Sequence, residues 1–320
     1  MSDYEVLNKI NSPADVKKLN AAERKELAAE MRAAILNRVS KIGGHLGPNL
    51  GTVELAIALH TVFDSPKDKI ILDVSHQSYP HKLLTGRRQG FQSDEYFRDI
   101  SGYTNPQESE HDVFIVGHTS TSVSLAAGLA KARDMQGQKF NVVAVIGDGS
   151  LSGGEAFEGL DNAGEFKSNF IVIVNDNEMS IAKNVGALSK YLARLRASAG
   201  WNLTKKNVRT KLSRIPAVGQ PLYRLVHKTK QAIKSVFVNE VDEGFFSALG
   251  FRYLGPVNGN DLADVEKMLK QAKQLDEPVV VHCLTKKGYG YHRAETKPEA
   301  FHGTPPFLVE NGRVSSSGAE

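Results

Sequence analysis

A chain of 320 residues with 41% hydrophobic and 24% charged residues is of ordinary globular composition, long enough for one large or two ordinary domains around a substantial core. Its one cysteine excludes a disulfide framework and thiolate metal centres and suits the reducing cytoplasm, while the absence of a signal-like start and of an 18-residue apolar run argues against export and membrane spanning. Net charge is +4, yet 179–239 holds 13 Lys or Arg and no Asp or Glu, which leaves −9 for the remainder. A basic segment on an acidic body invites nucleic acid, phosphorylated substrates or an anionic partner; its aromatics, such as Tyr191, Trp201 and Tyr223, show no base-stacking pattern, so no nucleic acid is expected.

In chain order, Asn20 with Glu23 reads as a capping box opening a helix whose apolar stripe is Leu27, Met31 and Ile35. Gly43 and Gly44 end it, and GGHLGPNLG turns toward a second helix near Val53, with His45 on the intervening loop, either functional or simply exposed. A strand at 70–74 runs into Ser75-His76-Gln77-Ser78-Tyr79-Pro80-His81-Lys82, whose imidazoles could bind phosphate oxygens or move protons near neutral pH. A further strand is expected at 113–116. The small residues Gly117 to Ser122 then open a helix at 123–135, a combination that fits N-capping and anion binding alike.

Two Val/Ile-rich runs, 142–146 and 170–174, bracket a stretch of helical spacing at 153–166 and predict a βαβ unit with parallel strands. Asp148 and Asn177 therefore sit at the carboxyl ends of two strands, where open α/β sheets bind ligands. A carboxylate and an amide oxygen, 29 positions apart, form a hard pair suited to Mg²⁺ carrying a diphosphate, with Gly147 and Gly149 admitting close backbone approach. A structural Asx turn beside a buried strand is the other reading. Beyond it, 190–240 is expected to be a mobile, basic helical excursion. The α/β pattern resumes over 245–275 and ends in a strand at 279–284, followed at the same rim by 285–291. Residues 311–320 read as a polar tail or linker. The fold class is α/β, a mostly parallel sheet with helices on both faces, over 1–310.

GDG followed by NDN resembles the thiamine diphosphate motif of transketolase-like enzymes. With GGHLGPNLGTVEL, DVSHQSYPHKLLTGR, ESEHDVF, IVGHTSTS, IGDGSLSGGEAFEGL, NDNEMSIAKNVGAL, LGFRYLGPVNGND, TKKGYGY and FHGTPPF in order, the chain looks like the N-terminal half of the 1-deoxy-D-xylulose-5-phosphate synthases. That resemblance implies Mg²⁺ on Asp148 and Asn177 with the Met179 carbonyl. It implies a diphosphate surrounded by Gly117, His118, Thr119, Gly149, Ser150 and Asn177, and cofactor contacts from His76 and Tyr291. His45, His76 and His302 would face the reacting carbon as proton carriers, and the reaction would condense pyruvate, with decarboxylation, with glyceraldehyde 3-phosphate or another phosphorylated aldose.

Several positions depart from the family pattern: Ser75 stands where Gly is usual, Thr119 where Ser is, Asn258 and Asn260 where Asp and His are, and 103–106 replaces a basic turn. These departures bear on the acceptor, not on the cofactor. The family's proteins are about twice this long, and their second half supplies a pyrimidine-binding domain with its activating glutamate. The expected partner is therefore a complementary pyrimidine-domain chain or a second copy. A split transketolase subunit with a different acceptor, or a non-catalytic cofactor-binding module, are the alternatives. A dinucleotide-dependent dehydrogenase is not, since no G-x-G-x-x-G follows the first strand.

Overall fold

A computed structural model describes residues 4–179, 182, 184–197 and 244–314. The expected basic excursion lies outside the described residues beyond 197, as do 315–320. Residues 187–197 are helical.

Five strands, β1 (Lys69–Leu72), β2 (Val142–Gly147), β3 (Phe170–Asp176), β4 (Arg252–Asn258) and β5 (Pro278–Leu284), form one sheet in the order β1-β2-β3-β5-β4, every pair parallel. The helices that position the site are α1 (Ala21–Ile42), α2 (Val53–Val62), α3 (Tyr79–Leu84), α4 (Ser122–Met135), α5 (Gly154–Ala163) and α6 (Leu262–Lys273). Strand residues alternate between two cores. Val142, Ala144, Ile146, Phe170, Val172 and Val174 pack with Val123, Ala126 and Ala130 of α4 and Ala156 and Leu160 of α5. Val143, Val145, Ile171, Ile173, Val279 and Val281 pack with Leu55 and Leu59 of α2 and Val265 and Leu269 of α6. Each Val, Ile, Leu or Phe among them contributes about 1.5–3 kcal/mol on burial, and both faces must be apolar, which is why β2 and β3 read as continuous apolar, Val/Ile-rich runs.

The capping box is present: Asn20 Oδ1 accepts from the Ala22 and Glu23 amides, and Glu23 accepts from that of Asn20. Leu27, Met31 and Ile35 are buried as the stripe predicts. The expected strand at 113–116 is a correction. It is irregular, and among the described residues β1 ends the sheet with β2 as its neighbour. Hydroxyls take the place of a ladder, with Thr104 Oγ1 donating to the Phe114 carbonyl and Ser75 Oγ to that of Val116. An apolar run of four cannot by pattern alone be told from packed coil. The first residues of the expected tail also fold back, through an antiparallel bridge between Phe307 and Val314. Among the described residues no helix is long and apolar enough to cross a membrane.

All five strands point their carboxyl ends to one edge. β1 delivers Asp73 to His76 there, β2 Asp148, β3 Asn177, and β5 Thr285 to Lys287.

Candidate active site

Three histidines from distant segments meet at this edge. Ring centroids of His45 and His76 are 5.2 Å apart, His45 and His302 5.7 Å, and His76 and His302 5.2 Å. The turn after α1 makes this possible. Gly44 pairs its backbone with Thr304 in an antiparallel bridge, bringing His302 to His45. A Cβ on Gly44 would lie 2.7 Å from the Tyr79 hydroxyl, and its φ of 131° is open to glycine alone in practice. Asn49, fully buried, donates from Nδ2 to the carbonyls of both His45 (2.7 Å) and His76 (2.8 Å) and accepts from the Tyr79 amide. One amide thus fixes the spacing of two histidines.

Burial pushes the His76 imidazole down to about 3, with the charges of His45, His302 and Lys287 adding to the effect. Burial, then Lys287 and His45, takes His302 down to about 4, and burial also lowers His45. These shifts keep the trio neutral near pH 7. A bound anion would reverse the sign, because an opposite charge favours the imidazolium. Nδ1 of His76 and of His302 has no hydrogen-bond partner among the described residues. Tyr103 closes one side, its ring edge-on to His45 at 5.8 Å. His81 and Lys82, expected at the rim, turn inward instead. His81 meets Asp112 at 3.0 Å and Lys82 meets Glu108 at 2.6 Å, and Glu108 in turn accepts the Ser101 amide, anchoring the loop that carries Tyr103.

Register places Gly147 opposite Asn175, so Asp148 and Asp176 are neighbours at the strand ends. Asp148 is 5% exposed, and burial, reinforced by Asp176, drives its carboxyl up to about 7. Asn184 lies close enough to pull that value down, yet Asp148 Oδ1 and Asn184 Nδ2 both stand without a hydrogen bond among the described residues. Asp176 goes the other way: burial opposes ionisation, but His282 and Arg196 outweigh it and hold it down at about 2. Asn177 Oδ1 accepts from the Met179 amide at 3.0 Å. No three His, Cys, Asp or Glu side chains converge for a metal among the described residues. A cation here would draw on Asp148 with amide, carbonyl and ligand oxygens, the hard and sparse set Mg²⁺ prefers. The unpartnered buried carboxylate oxygen fits that group, since a divalent cation would offset its desolvation.

Lys287, 5% exposed, lies amid these groups. Burial brings its ammonium down to about 8 against the pull of Asp148 and Glu299. A cleft of about 620 Å³ opens between the ends of β3 and β5, lined by Asn177, Met179, Arg196, Thr285 and Lys287 among others.

Gly117, His118 and Thr119 are exposed at the rim, and Gly149 and Ser150 are half-buried. Two amides where the turn enters α4, those of Ser120 and Ser122, are already committed, donating to the Asp73 carboxylate at 3.0 Å each. Tyr291 does not join the cluster: its ring packs on Phe301 and Phe307, and its hydroxyl donates to the Val309 carbonyl. Asn260 bridges the Gly51 carbonyl and the Lys286 amide, tying the 285–291 loop to the turn before α2. Asn49, Asp73, Arg196 and Lys287 escaped the sequence reading. Each acts on backbone or side chains far along the chain, and no local pattern marks it; only the position of Lys287 after a strand's carboxyl end was a usable signal.

A 1-deoxy-D-xylulose-5-phosphate synthase of Syntrophomonas wolfei is 51% identical over 308 residues, covering 96% of this chain and 48% of that protein. One of Caldanaerobacter subterraneus is 47% identical over 315 residues, covering 98% and 50%. The chain spans about half the length of these curated relatives. Among solved structures, a transketolase from Campylobacter jejuni matches 90% of this chain and 41% of its own with a TM-score of 0.58 at 20% identity. A transketolase from Leishmania mexicana matches 90% and 40% with 0.57 at 19%. At these identities the likeness shows the fold. The sequence match goes further, for the family model described as 1-deoxy-D-xylulose-5-phosphate synthase covers residues 7–285, the whole sheet and the rim as far as Thr285, and the chain belongs to that family.

Proposed function

We propose that the chain is the diphosphate- and metal-binding half of a thiamine diphosphate-dependent transferase that condenses pyruvate, with loss of CO₂, with glyceraldehyde 3-phosphate. The observation that carries this reading is the buried Asp148 carboxylate with a free oxygen, beside Asn177 and within reach of the Lys287 charge, at the edge where three histidines converge. Asp148, Asn177 and the Met179 carbonyl would hold Mg²⁺, while Gly117, His118, Thr119, Gly149 and Ser150 would take the diphosphate oxygens. Lys287 would balance that anion's charge. Thiamine diphosphate, when bound, supplies an electron sink for carbanion chemistry. The neutral imidazoles of His45, His76 and His302 would orient the carbonyl substrate, and they would take up protons once an anion raises their affinity. Tyr291 enters only if its hydroxyl leaves Val309.

A complementary pyrimidine-domain chain, or that domain from elsewhere in a longer polypeptide, would complete the site, and a pair of copies would present two such faces. The turn 103–106 carries no cation, and its Tyr103 covers His45. That favours, as a second reading, a sugar-phosphate acceptor held by groups outside this chain.

The experiment is calorimetric titration of thiamine diphosphate with and without Mg²⁺ into the wild type and Asp148→Asn, which keeps the shape and removes the charge. Mg²⁺-dependent binding is expected in the wild type and lost in the variant. Equal binding by both would place the metal elsewhere.

A further inference from the structure

Asn177 is bracketed. The residues on either side of it, Asp176 and Glu178, are both held by one guanidinium. Arg196 Nη1 lies 2.6 Å from each oxygen of Asp176, and its Nε lies 3.0 Å from Glu178 Oε1. The Asp176 side chain is fully buried, that of Arg196 is 18% exposed, and that of Glu178 is 65% exposed. One arm of the fork therefore reaches into the core and the other holds a residue at the surface. Arg196 comes from the helix 187–197, whose inner face, Leu192 and Leu195, packs in the core beneath β2 and β3. Its backbone is thus anchored independently of the loop it holds.

The loop needs holding. Glu178 has a φ of 64°, the left-handed region that a non-glycine residue seldom occupies. That bend lets Asn177 Oδ1 receive the Met179 amide and brings the Asn184 amide to the Glu178 carbonyl at 3.3 Å. The same fork occupies Asp176. With Arg196 on both oxygens and His282 Nε2 on Oδ2 at 2.8 Å, Asp176 is fully engaged, while neighbouring Asp148 keeps an oxygen without a hydrogen-bond partner among the described residues. Two carboxylates side by side would otherwise compete for one cation.

We propose that Arg196 is the positioning residue of the metal loop: by gripping Asp176 and Glu178 it fixes Asn177 and Met179 in the ligating arrangement and leaves Asp148 as the one carboxylate open to the cation. The metal part of this rests on the reading given above; the grip on the loop does not. Lysine can substitute only in part, because an ammonium is a point charge whereas the planar guanidinium presents two edges to two carboxylates.

The test uses the full chain and three variants, Arg196→Ala, Arg196→Lys and Glu178→Gln. Amide hydrogen exchange is followed at 177–179, and thiamine diphosphate binding is measured with Mg²⁺. In Arg196→Ala the amides of 177–179 exchange roughly tenfold faster or more while β2 and β5 keep their protection. Mg²⁺-dependent binding weakens roughly ten- to a hundredfold, the range for a group that orients a metal ligand. Glu178→Gln, which changes only a surface-facing arm, gives a smaller shift in the same direction, and Arg196→Lys recovers part of it. Unchanged exchange at 177–179 in a folded Arg196→Ala overturns the proposal. So does a loss of protection spread over β2 and β5 with Glu178→Gln indistinguishable from wild type, which would make Arg196 a general core residue. Asp148→Asn separates the two claims: if it leaves binding intact the metal reading fails, while the exchange data still decide the grip.

Discussion

Ser75 shows how much one residue can carry. Its φ is 65°, in the left-handed region that glycine occupies most readily, and the preceding Val74 is at 58°. The hydroxyl compensates for the backbone, donating to the Val116 carbonyl and accepting the Thr104 amide at 3.0 Å each, so that both loops flanking the rim hang from it. Ser75→Ala keeps the bend and orphans two buried backbone groups, and unfolding in urea should show a loss of about 1–3 kcal/mol. Ser75→Gly loses the same bonds but relieves the bend, so it should be less destabilised than the alanine variant, by about 1 kcal/mol. Equal losses would mean that the hydroxyl alone matters and the backbone is unstrained. At this scale the types and spacing of Asp148, Asn177, His45 and His76 were legible, since they follow strand ends or glycine turns, whereas His302 came only from the family resemblance. Asn49 and Asp73 were not: a buried asparagine and a strand-terminal aspartate look the same whether they serve a carbonyl, an amide or water.

Elements were legible where two signals agreed. The capping box and the stripe named α1, and the flanking turns named β2, α5 and β3. They failed at 113–116, where β-type residues are held by hydroxyls instead of a neighbouring strand. The N-terminal segment is a different case. Glu30, on α1 and 8% exposed, accepts from the amides of Glu5 (2.7 Å), Val6 (3.0 Å) and Leu7 (2.5 Å), and thereby docks a short helical turn that buries Leu7. A carboxylate on a helix's apolar face reads as a pattern error until those amides appear. Glu30→Ala should release residues 5–9 and lower stability by about 1.5–3 kcal/mol, the worth of charged hydrogen bonds to buried donors. Thermal unfolding together with amide exchange in 5–9 checks this, and protection retained there would show that apolar contacts alone hold the segment.

The whole molecule is organised by burial at one sheet edge, and that has a pH signature. Burial lowers His45, His60, His76, His81, His111 and His302 from their usual 6.5, His76 to about 3 and His302 to about 4. Below about pH 6.5 the unfolded chain binds protons that the folded chain refuses, so stability is full above that value and falls as pH drops toward 4. Asp148, raised from 3.8 to about 7, works the opposite way, its folded form losing ground as pH rises through that interval. Six histidines outweigh it, and melting temperature should drop from pH 7 to pH 4, less steeply in His76→Asn; a flat profile would show that the rings are solvated. Fold class and edge were legible in the Val/Ile runs, whereas the meeting of His45, His76 and His302 depends on a bridge between Gly44 and Thr304 that no local pattern encodes. On the function proposed above, this chain, which spans about half the length of its curated relatives, would hold the diphosphate and metal end of a site completed by a further domain. CO₂ release from pyruvate, with saturating Mg²⁺ and thiamine diphosphate and with glyceraldehyde 3-phosphate present or absent, tests it directly. The purified chain alone should release none, and turnover should appear when the complementary half of a relative is added; sustained CO₂ release by the chain alone would contradict the account.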